Sequence, residues 1–214
     1  MDTSQGYLLV VEDIPDILKL LEATLTFKGH RVVTARNGEE ALEAIERERP
    51  SLVVTDILMP KMDGFNLVHR LRIKPETRDI PVVFLSATYV APEDKAFALT
   101  IGVTRFIEKP VAMDKFVPII EKILKQGPYT PADPINEIDF YDGYRKRLEI
   151  KLNQKNIQIA RDERLLETLS EEEKPSFQVS LQQAQNEREE IKHLLDQIRE
   201  QIEKSPSPDN EPDK

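Results

Sequence analysis

The sequence predicts an α/β protein in which helices wrap a five-stranded parallel sheet and a long antiparallel α-helical hairpin follows. Five short apolar runs alternate with segments whose apolar residues recur every three or four positions, which indicates alternating strands and helices. Two of the apolar runs end in carboxylates. Beyond residue 136, two long segments nearly free of Gly and Pro carry apolar residues at heptad spacing, which is typical of paired helices.

Composition narrows the classes of function that the chain can have. Of its 214 residues 32% are charged and the formal net charge is −9, so a general attraction to nucleic acid or anionic lipid is not expected. The lack of cysteine excludes disulfides, thiolate chemistry and cysteine-based zinc sites. Neither an apolar run of about 20 residues nor a basic N-terminal segment followed by an apolar one is found, so we expect a soluble, cytoplasmic protein.

The elements of the sheet region can be placed in order along the chain. The first predicted strand runs into Glu12 and Asp13, and the helix after it stops at Gly29, a residue that suits a helix C-terminus. Asn37 caps the second helix and Gly102 ends the fourth. The predicted strands are residues 7–11, 31–35, 52–56, 81–87 and 104–107.

The fifth helix of this region contains an irregularity. Its apolar residues run from Phe116 to Leu124 at helical spacing, but Pro118 lies among them and Ala112 stands where a polar cap is usual. Proline lacks the backbone N–H and clashes with the preceding turn. We therefore expect this helix to start late or to kink.

Polar side chains gather at one edge of the predicted sheet. The expected strand order is the flavodoxin-like 2-1-3-4-5, in which a ligand crevice opens at the carboxyl ends of strands one and three. Glu12 and Asp13 follow strand one and Asp56 ends strand three, so their carboxylates should converge. Ser86 and Lys109, at the ends of strands four and five, should join them. One aspartate alone could merely cap a loop, but the whole group favours a binding site.

This group of side chains suits phosphoryl transfer. Carboxylates held together repel one another unless a cation is present, and an all-oxygen site favours a hard divalent ion such as Mg²⁺. A carboxylate can attack phosphorus to form an aspartyl-phosphate, while a lysine pairs with the phosphate and a hydroxyl donates to it. The residues therefore predict a site that accepts a phosphoryl group.

Five sequence blocks resemble the receiver domain of two-component response regulators, and the resemblance covers residues 7–125. The blocks are Glu12-Asp13, the strand ending at Asp56, Met59-Pro60 with Asp63-Gly64, Leu85-Ser86-Ala87, and Phe106-Ile107-Glu108-Lys109-Pro110. The resemblance implies that Asp56 takes a phosphoryl group from the phosphohistidine of a sensor histidine kinase or phosphotransfer protein. It also implies that Mg²⁺ is held by Glu12, Asp13, Asp56 and the backbone carbonyl of Leu58, with Glu12 able to act through water.

The resemblance further implies how the site changes on phosphorylation. Ser86 would move toward the phosphate, Lys109 would pair with it, and Phe106 would be the aromatic switch residue that turns inward as Ser86 moves. Without the motif, Phe106 would be read simply as a core aromatic. Leu58 and Thr88 would flank the phosphate and influence its hydrolysis. The bond between Lys109 and its following proline is expected to be cis.

Composition shifts along the chain predict its domain boundaries. We expect a receiver domain over residues 1–127, a proline-rich linker over 128–136, a helical hairpin or coiled coil over 137–204 and a disordered tail over 205–214. At 1.5 Å per residue the two helices of the hairpin would each be about 40–45 Å long.

Each helix of the hairpin carries an apolar seam with polar interruptions. Asp162 interrupts the first seam and Arg188 the second, and folding back near residue 173 would bring these two side chains together. The alternative is that both simply reach solvent. The seam residues are Tyr141, Leu148, Leu152, Ile159, Leu166 and Leu169 in the first helix and Phe177, Leu181, Ala184, Ile191, Leu195, Ile198 and Ile202 in the second.

Two hypotheses for the output follow from the hairpin. Two helices alone bury little surface, so the hairpin should pack against a second copy, giving a homodimer, or against a helical partner protein. Phosphorylation of Asp56 would then control dimerisation or partner binding. The alternative is a DNA-binding transcriptional regulator with an atypical helical output region, which would need Arg145, Lys146, Arg147 and Lys151 to form one basic face.

A separate output enzyme is not predicted. No second catalytic constellation follows residue 127, so the chain would act as a phosphoryl acceptor that takes part in its own phosphotransfer and dephosphorylation. A metal-dependent phosphatase that uses Asp56 is the remaining enzymatic possibility. Such an enzyme would turn over small phosphoesters, whereas a receiver would retain one phosphoryl group.

Overall fold

The computed structural model describes residues 6–87, 89–126, 133–170 and 172–204. Its contacts divide the chain into two compact units, Met1–Ile135 and Asn136–Lys214. The first unit contains, in order, β1 (Leu8–Val11), α1 (Pro15–Phe27), β2 (Val32–Ala35), α2 (Gly38–Arg47), β3 (Leu52–Asp56), α3 (Gly64–Ile73), β4 (Val82–Ser86), α4 (Pro92–Thr100), β5 (Arg105–Glu108) and α5 (Met113–Lys125). The second contains α6 (Glu137–Leu166) and α7 (Lys174–Lys204).

The five strands form one parallel sheet in the order β2-β1-β3-β4-β5, which confirms the predicted topology. Every residue of β1, β3 and β4 is buried, as expected for central strands covered by helices on both faces. Apolar side chains of α1 and α5, among them Leu21 and Ile120, complete the core on one side. The register places Val11 beside Thr55, so β1 and β3 end next to each other.

The predicted helix ends are also found. The Asn37 side chain accepts hydrogen bonds from the backbone N–H groups of Glu39 and Glu40, both at 3.0 Å, and so caps α2. Gly29 follows the end of α1 with φ +88°, a conformation that glycine adopts without a steric cost. The sequence therefore specifies the start of α2 and the end of α1 locally.

The expected late start of α5 is wrong. The helix begins at Met113, five residues before Pro118, and continues through it to Lys125. Pro118 lies on the exposed side of the helix, while Phe116, Val117 and Ile120 pack into the core. Apolar burial on both sides of the proline outweighs the backbone hydrogen bond that proline cannot donate.

The second unit is the predicted antiparallel hairpin of two long, contacting helices. The 30 residues of α6 and 31 residues of α7 give each a length of about 45 Å. Seam residues such as Leu148, Ile159 and Ile191 are at most 3% exposed. The structure also buries Phe140, Tyr144 and Leu194, which lie outside the predicted seam, so the apolar face is wider than a strict heptad stripe.

Asp162 and Arg188, which one of the two predicted alternatives brings together, pair with other residues in the structure. Asp162 accepts a hydrogen bond from Arg161 at 3.0 Å, and Arg188 pairs with the adjacent Glu189. An ion pair between the helices joins Lys155 to Glu187 at 2.5 Å. The polar residues that meet here are therefore Lys155 and Glu187 instead of Asp162 and Arg188.

Parts of the predicted domain scheme fall outside the described residues. Most of the linker and the whole tail over 205–214 lie outside the described residues, so these boundaries stay predictions. Among the residues that the structure does describe, no helix has the length and hydropathy needed to cross a bilayer.

Candidate functional site

Three carboxylates converge at the carboxyl edge of the sheet. Asp56 is the last residue of β3, and Glu12 and Asp13 follow directly after β1 on the neighbouring strand. Carboxylate oxygens from the three residues lie within 4.8 Å of one another. Glu12 is fully buried, Asp56 is 9% exposed and Asp13 is half-buried. The structure thus brings together the acids that the strand order predicts.

The electrostatics of this acidic site are unfavourable for its negative charges. Burial raises the pKa of Asp56, and Lys109 only partly offsets that effect. Burial and then the nearby Asp56 carboxylate raise the pKa of Glu12 and of Asp13. A cation among these oxygens would relieve the repulsion.

Lys109 supplies one positive charge to the acidic site. Its Nζ donates to Asp56 Oδ2 at 2.5 Å and to Glu12 Oε2 at 2.7 Å, and its side chain is 12% exposed. Burial works to lower the pKa of Lys109, but the carboxylates of Asp56 and Glu12 outweigh it, so the pKa is raised. The peptide bond from Lys109 to Pro110 is cis, as predicted.

The donor set fits a hard divalent cation. All three acids offer oxygen, and one ammonium cannot balance them, so a Mg²⁺-sized ion suits the chemistry of the site. One carboxylate oxygen of Asp56, Oδ1, already accepts a hydrogen bond from the backbone N–H of Ile57 at 2.6 Å. Leu58 follows in the same loop, half-buried, where its carbonyl is the predicted fourth ligand.

The loop between β3 and α3 is shaped by two residues whose motif was recognised but whose roles were not predicted. Asp63 caps α3 by accepting the backbone N–H of Asn66 at 2.8 Å, and burial raises its pKa to about 7. Gly64 donates its N–H to the Ile57 carbonyl at 2.8 Å, and a Cβ at Gly64 would overlap the backbone carbonyl oxygen of Asp56. Only glycine lets the helix start this close to the acidic site.

Ser86 lies at the same edge on the next strand. It ends β4 and is 1% exposed, its Oγ accepts the backbone N–H of Tyr89 at 3.1 Å, and its carbonyl accepts the backbone N–H of Lys109 at 2.9 Å. Tyr89 is itself buried and packs edge-on against Phe65. Nothing in the sequence singles out Tyr89, since its neighbour Thr88 is the residue expected to flank the phosphate. Thr88 lies outside the described residues.

Phe106, the predicted switch residue, is half-buried on β5. The Lys95 ammonium of α4 lies 5.8 Å from the centre of its ring, within the range of a cation–π contact, and also pairs with Glu108. One lysine therefore links α4 to two residues of β5. Only the structure reveals this arrangement, because the three residues carry no common motif.

Comparisons with known proteins agree with this geometry. The family described as "Response regulator receiver domain" matches residues 8–121, more than half of the chain. The "Probable transcriptional regulator ycf27" of Pyropia yezoensis is 36% identical over 127 residues, which cover 59% of this chain and 51% of that protein. An uncharacterized 14.6 kDa protein of Leptolyngbya boryana is 39% identical over 119 residues, covering 56% of this chain and 90% of that protein.

A solved structure is similar over the same region. The chemotaxis response regulator CheY4 of Vibrio cholerae matches this chain with a TM-score of 0.53 and 28% identity. The match covers 56% of this chain and 99% of that one. This chain spans only about half the length of the ycf27 regulators that it matches. The matches thus concern the first unit, and the chain belongs to the response regulator receiver family.

Proposed function

We propose that this chain is a phosphorylation-controlled signalling protein whose Asp56 accepts a phosphoryl group. The donor would be the phosphohistidine of a sensor histidine kinase or phosphotransfer protein. The observation that carries the proposal is the setting of Asp56, buried at a strand end with two further acids within 4.8 Å and the Lys109 ammonium at 2.5 Å. These carboxylates and this ammonium are the groups that acceptance of a phosphoryl group requires in a receiver domain.

The residues of the site suit the steps of the transfer. A carboxylate oxygen of Asp56 attacks phosphorus, the phosphorus–nitrogen bond of the phosphohistidine breaks, and its electron pair stays on the imidazole. Lys109 already contacts Asp56 and would pair with the new phosphate, and the buried Ser86 hydroxyl would donate to another of its oxygens. When bound by Glu12, Asp13, Asp56 and the Leu58 carbonyl, Mg²⁺ would neutralise charge on the transferring group.

The chain would act as a signalling protein rather than as an output enzyme. Its own residues would assist phosphotransfer and the later dephosphorylation of Asp56, and no other catalytic role is needed. The α6–α7 hairpin would relay the signal by homodimerisation or by binding a helical partner protein. The support for this role is the hairpin itself, which is long and forms a compact unit of its own.

The names of several relatives favour a second candidate, a DNA-binding transcriptional regulator. Against this candidate, two of the four basic side chains of the cluster on α6 pair with acids of the same helix. Arg145 pairs with Asp142 and Glu149, and Lys146 pairs with Asp142. Salt-dependent DNA binding that is lost on replacing Arg145 and Arg147 would establish this candidate.

Light scattering of the intact protein with and without beryllofluoride and Mg²⁺ tests the proposal. Beryllofluoride mimics the phosphoryl group, so the wild type should change its state of association, alone or with its partner, while Asp56→Asn should not respond. Asp114→Asn, which removes an acid at the start of α5, is the matched control and should respond like the wild type. Uptake of beryllofluoride by Asp56→Asn would contradict the assignment of the acceptor.

A further inference from the structure

The heptad seams of the hairpin are already used within one chain. Ile159 of α6 packs against Leu181 and Ala184 of α7, and Leu148 and Ile191 are fully buried. A seam that is filled inside the hairpin cannot also bind a partner unless the hairpin opens. Any partner that binds the closed hairpin must therefore use a different face.

A second row of side chains, with apolar residues near its centre, lies on the opposite side of α6. Ile157 is 63% exposed, although Ile159, two residues away and about 200° around the helix, is 3% exposed. Ile150 lies two turns before Ile157 on the same side and is 42% exposed, as is Leu165. The outer stripe, as we call it, follows alternate spacings of four and three residues through Lys146, Ile150, Asn153, Ile157, Ala160 and Arg164.

Two shallow depressions lie along the outer stripe. Ile150 and Asn153 line the first, and Ile157, Ala160 and Leu165 line the second. Side chains of another helix can fill depressions that are lined by apolar residues two helical turns apart. The stripe thus has the surface relief of a helix-binding groove.

The charge of the outer stripe differs from that of the rest of the hairpin. Residues 137–204 contain 12 basic and 16 acidic side chains and are acidic overall. The side chains lining the two depressions instead include four basic residues and one acid, which are Lys146, Arg147, Arg161, Arg164 and Glu149. Lys146 and Arg161 each have an acidic neighbour, yet their side chains remain 60% and 69% exposed. The stripe therefore presents basic groups around an apolar centre.

We propose that the outer stripe binds an amphipathic helix of a partner protein, with apolar residues at heptad spacing flanked by Asp and Glu. Charge complementarity favours this occupant over a second copy, since pairing two outer stripes would place basic side chains against basic side chains. The stripe from Lys146 to Arg164 is also only about 27 Å long and one helix wide, which suits one helix better than a stable dimer needing about 800 Å² from each partner. This inference rests on the proposed function, because it names the partner class that the hairpin would engage.

Fluorescence anisotropy with designed helical peptides tests this inference on the full chain. The probe is a labelled peptide of about three heptads with Leu at the seam positions and Glu beside them, and its counterpart carries Lys in place of Glu. We expect the acidic peptide to bind at least tenfold more tightly than the basic one. Ile157→Asp should weaken its binding at least tenfold. Val179→Asp is the matched control, since Val179 is a 70% exposed apolar residue on α7, and should leave binding unchanged.

Charge reversal supplies a second variant that does not alter the apolar centre. Exchanging Arg161 and Arg164 for Glu should reverse the preference, so that the basic peptide binds more tightly. Equal binding of both peptides, or equal weakening by Val179→Asp, would overturn the inference. Loss of self-association in Ile157→Asp during sedimentation would also overturn it and assign the stripe to a second copy.

The same titration separates this inference from the proposed function. If the acidic peptide binds the stripe but its affinity is the same with and without beryllofluoride, the stripe is a binding surface and control by Asp56 fails. If beryllofluoride is taken up by Asp56 but the peptide does not bind, the acceptor site stands and the outer stripe fails.

Discussion

Replacing Lys109 by methionine tests the electrostatics of the acidic site. The Lys109 ammonium lies 2.5 Å from Asp56 and 2.7 Å from Glu12, in a site where only 12% of the lysine side chain is exposed. Methionine keeps much of the apolar stem and removes the charge. The variant therefore leaves Glu12, Asp13 and Asp56 facing one another without a cation.

The size of the effect follows from this burial. Removing one partner of a buried ion pair typically costs about 3–5 kcal/mol, because the remaining charge stays buried and unpaired. Lys109 keeps some contact with water, and the carboxylates of Asp56 and Glu12 have raised pKa values and can take up protons. We therefore expect the free energy of unfolding to fall by about 2–3 kcal/mol at neutral pH. The loss should shrink as the pH is lowered, because protonation removes the repulsion.

Urea unfolding followed by circular dichroism measures this effect, first with a chelator and then with Mg²⁺. Added Mg²⁺ should stabilise Lys109→Met more than the wild type, because the ion replaces the missing positive charge. Lys115→Met, at an exposed position of α5, is the matched control and should leave stability unchanged. Unchanged stability of Lys109→Met, or equal stabilisation of both proteins by Mg²⁺, would show that Lys109 does not offset the charges of the three carboxylates.

Three further substitutions test other parts of the structure by urea unfolding. Asp63→Asn should stabilise the protein at about pH 8 and not at about pH 4. Between pH 3.8 and about pH 7 the native Asp63 binds a proton that the unfolded chain has lost, so the stability of the wild type falls as the pH rises. An effect that does not depend on pH would contradict this. Gly64→Ala should cost about 1–3 kcal/mol through overlap with Asp56, and an unchanged midpoint would disprove the close contact. Ile159→Ala should cost about 2–4 kcal/mol in the hairpin transition, whereas the exposed Ile157→Ala should cost little.

The sheet could be predicted from sequence because its strands are short, continuous apolar runs. Once the order 2-1-3-4-5 is assumed, the acids that follow β1 and β3 must meet, and the structure places Glu12, Asp13 and Asp56 together. The partners of Lys109 could not be assigned in this way. It lies 97 residues from Glu12 and 53 from Asp56, and only the packed structure decides which oxygens its ammonium reaches.

The hairpin shows where periodicity stops being informative. Heptad spacing identified Ile159 and Ile191, but it did not identify Phe140 and Tyr144, whose burial depends on how wide the packed face becomes. It also could not decide which polar residues meet between the helices. Long polar side chains beside the seam can reach across it, and the structure joins Lys155 to Glu187 rather than Asp162 to Arg188.

Intact-mass analysis after incubation with Mg²⁺ and a small phosphodonor such as acetyl phosphate shows directly whether Asp56 accepts a phosphoryl group. We expect one alkali-labile phosphoryl group per chain on the wild type and none on Asp56→Asn. A phosphoryl group that persists on Asp56→Asn, or continuous turnover of the donor with no group retained on the wild type, would contradict it.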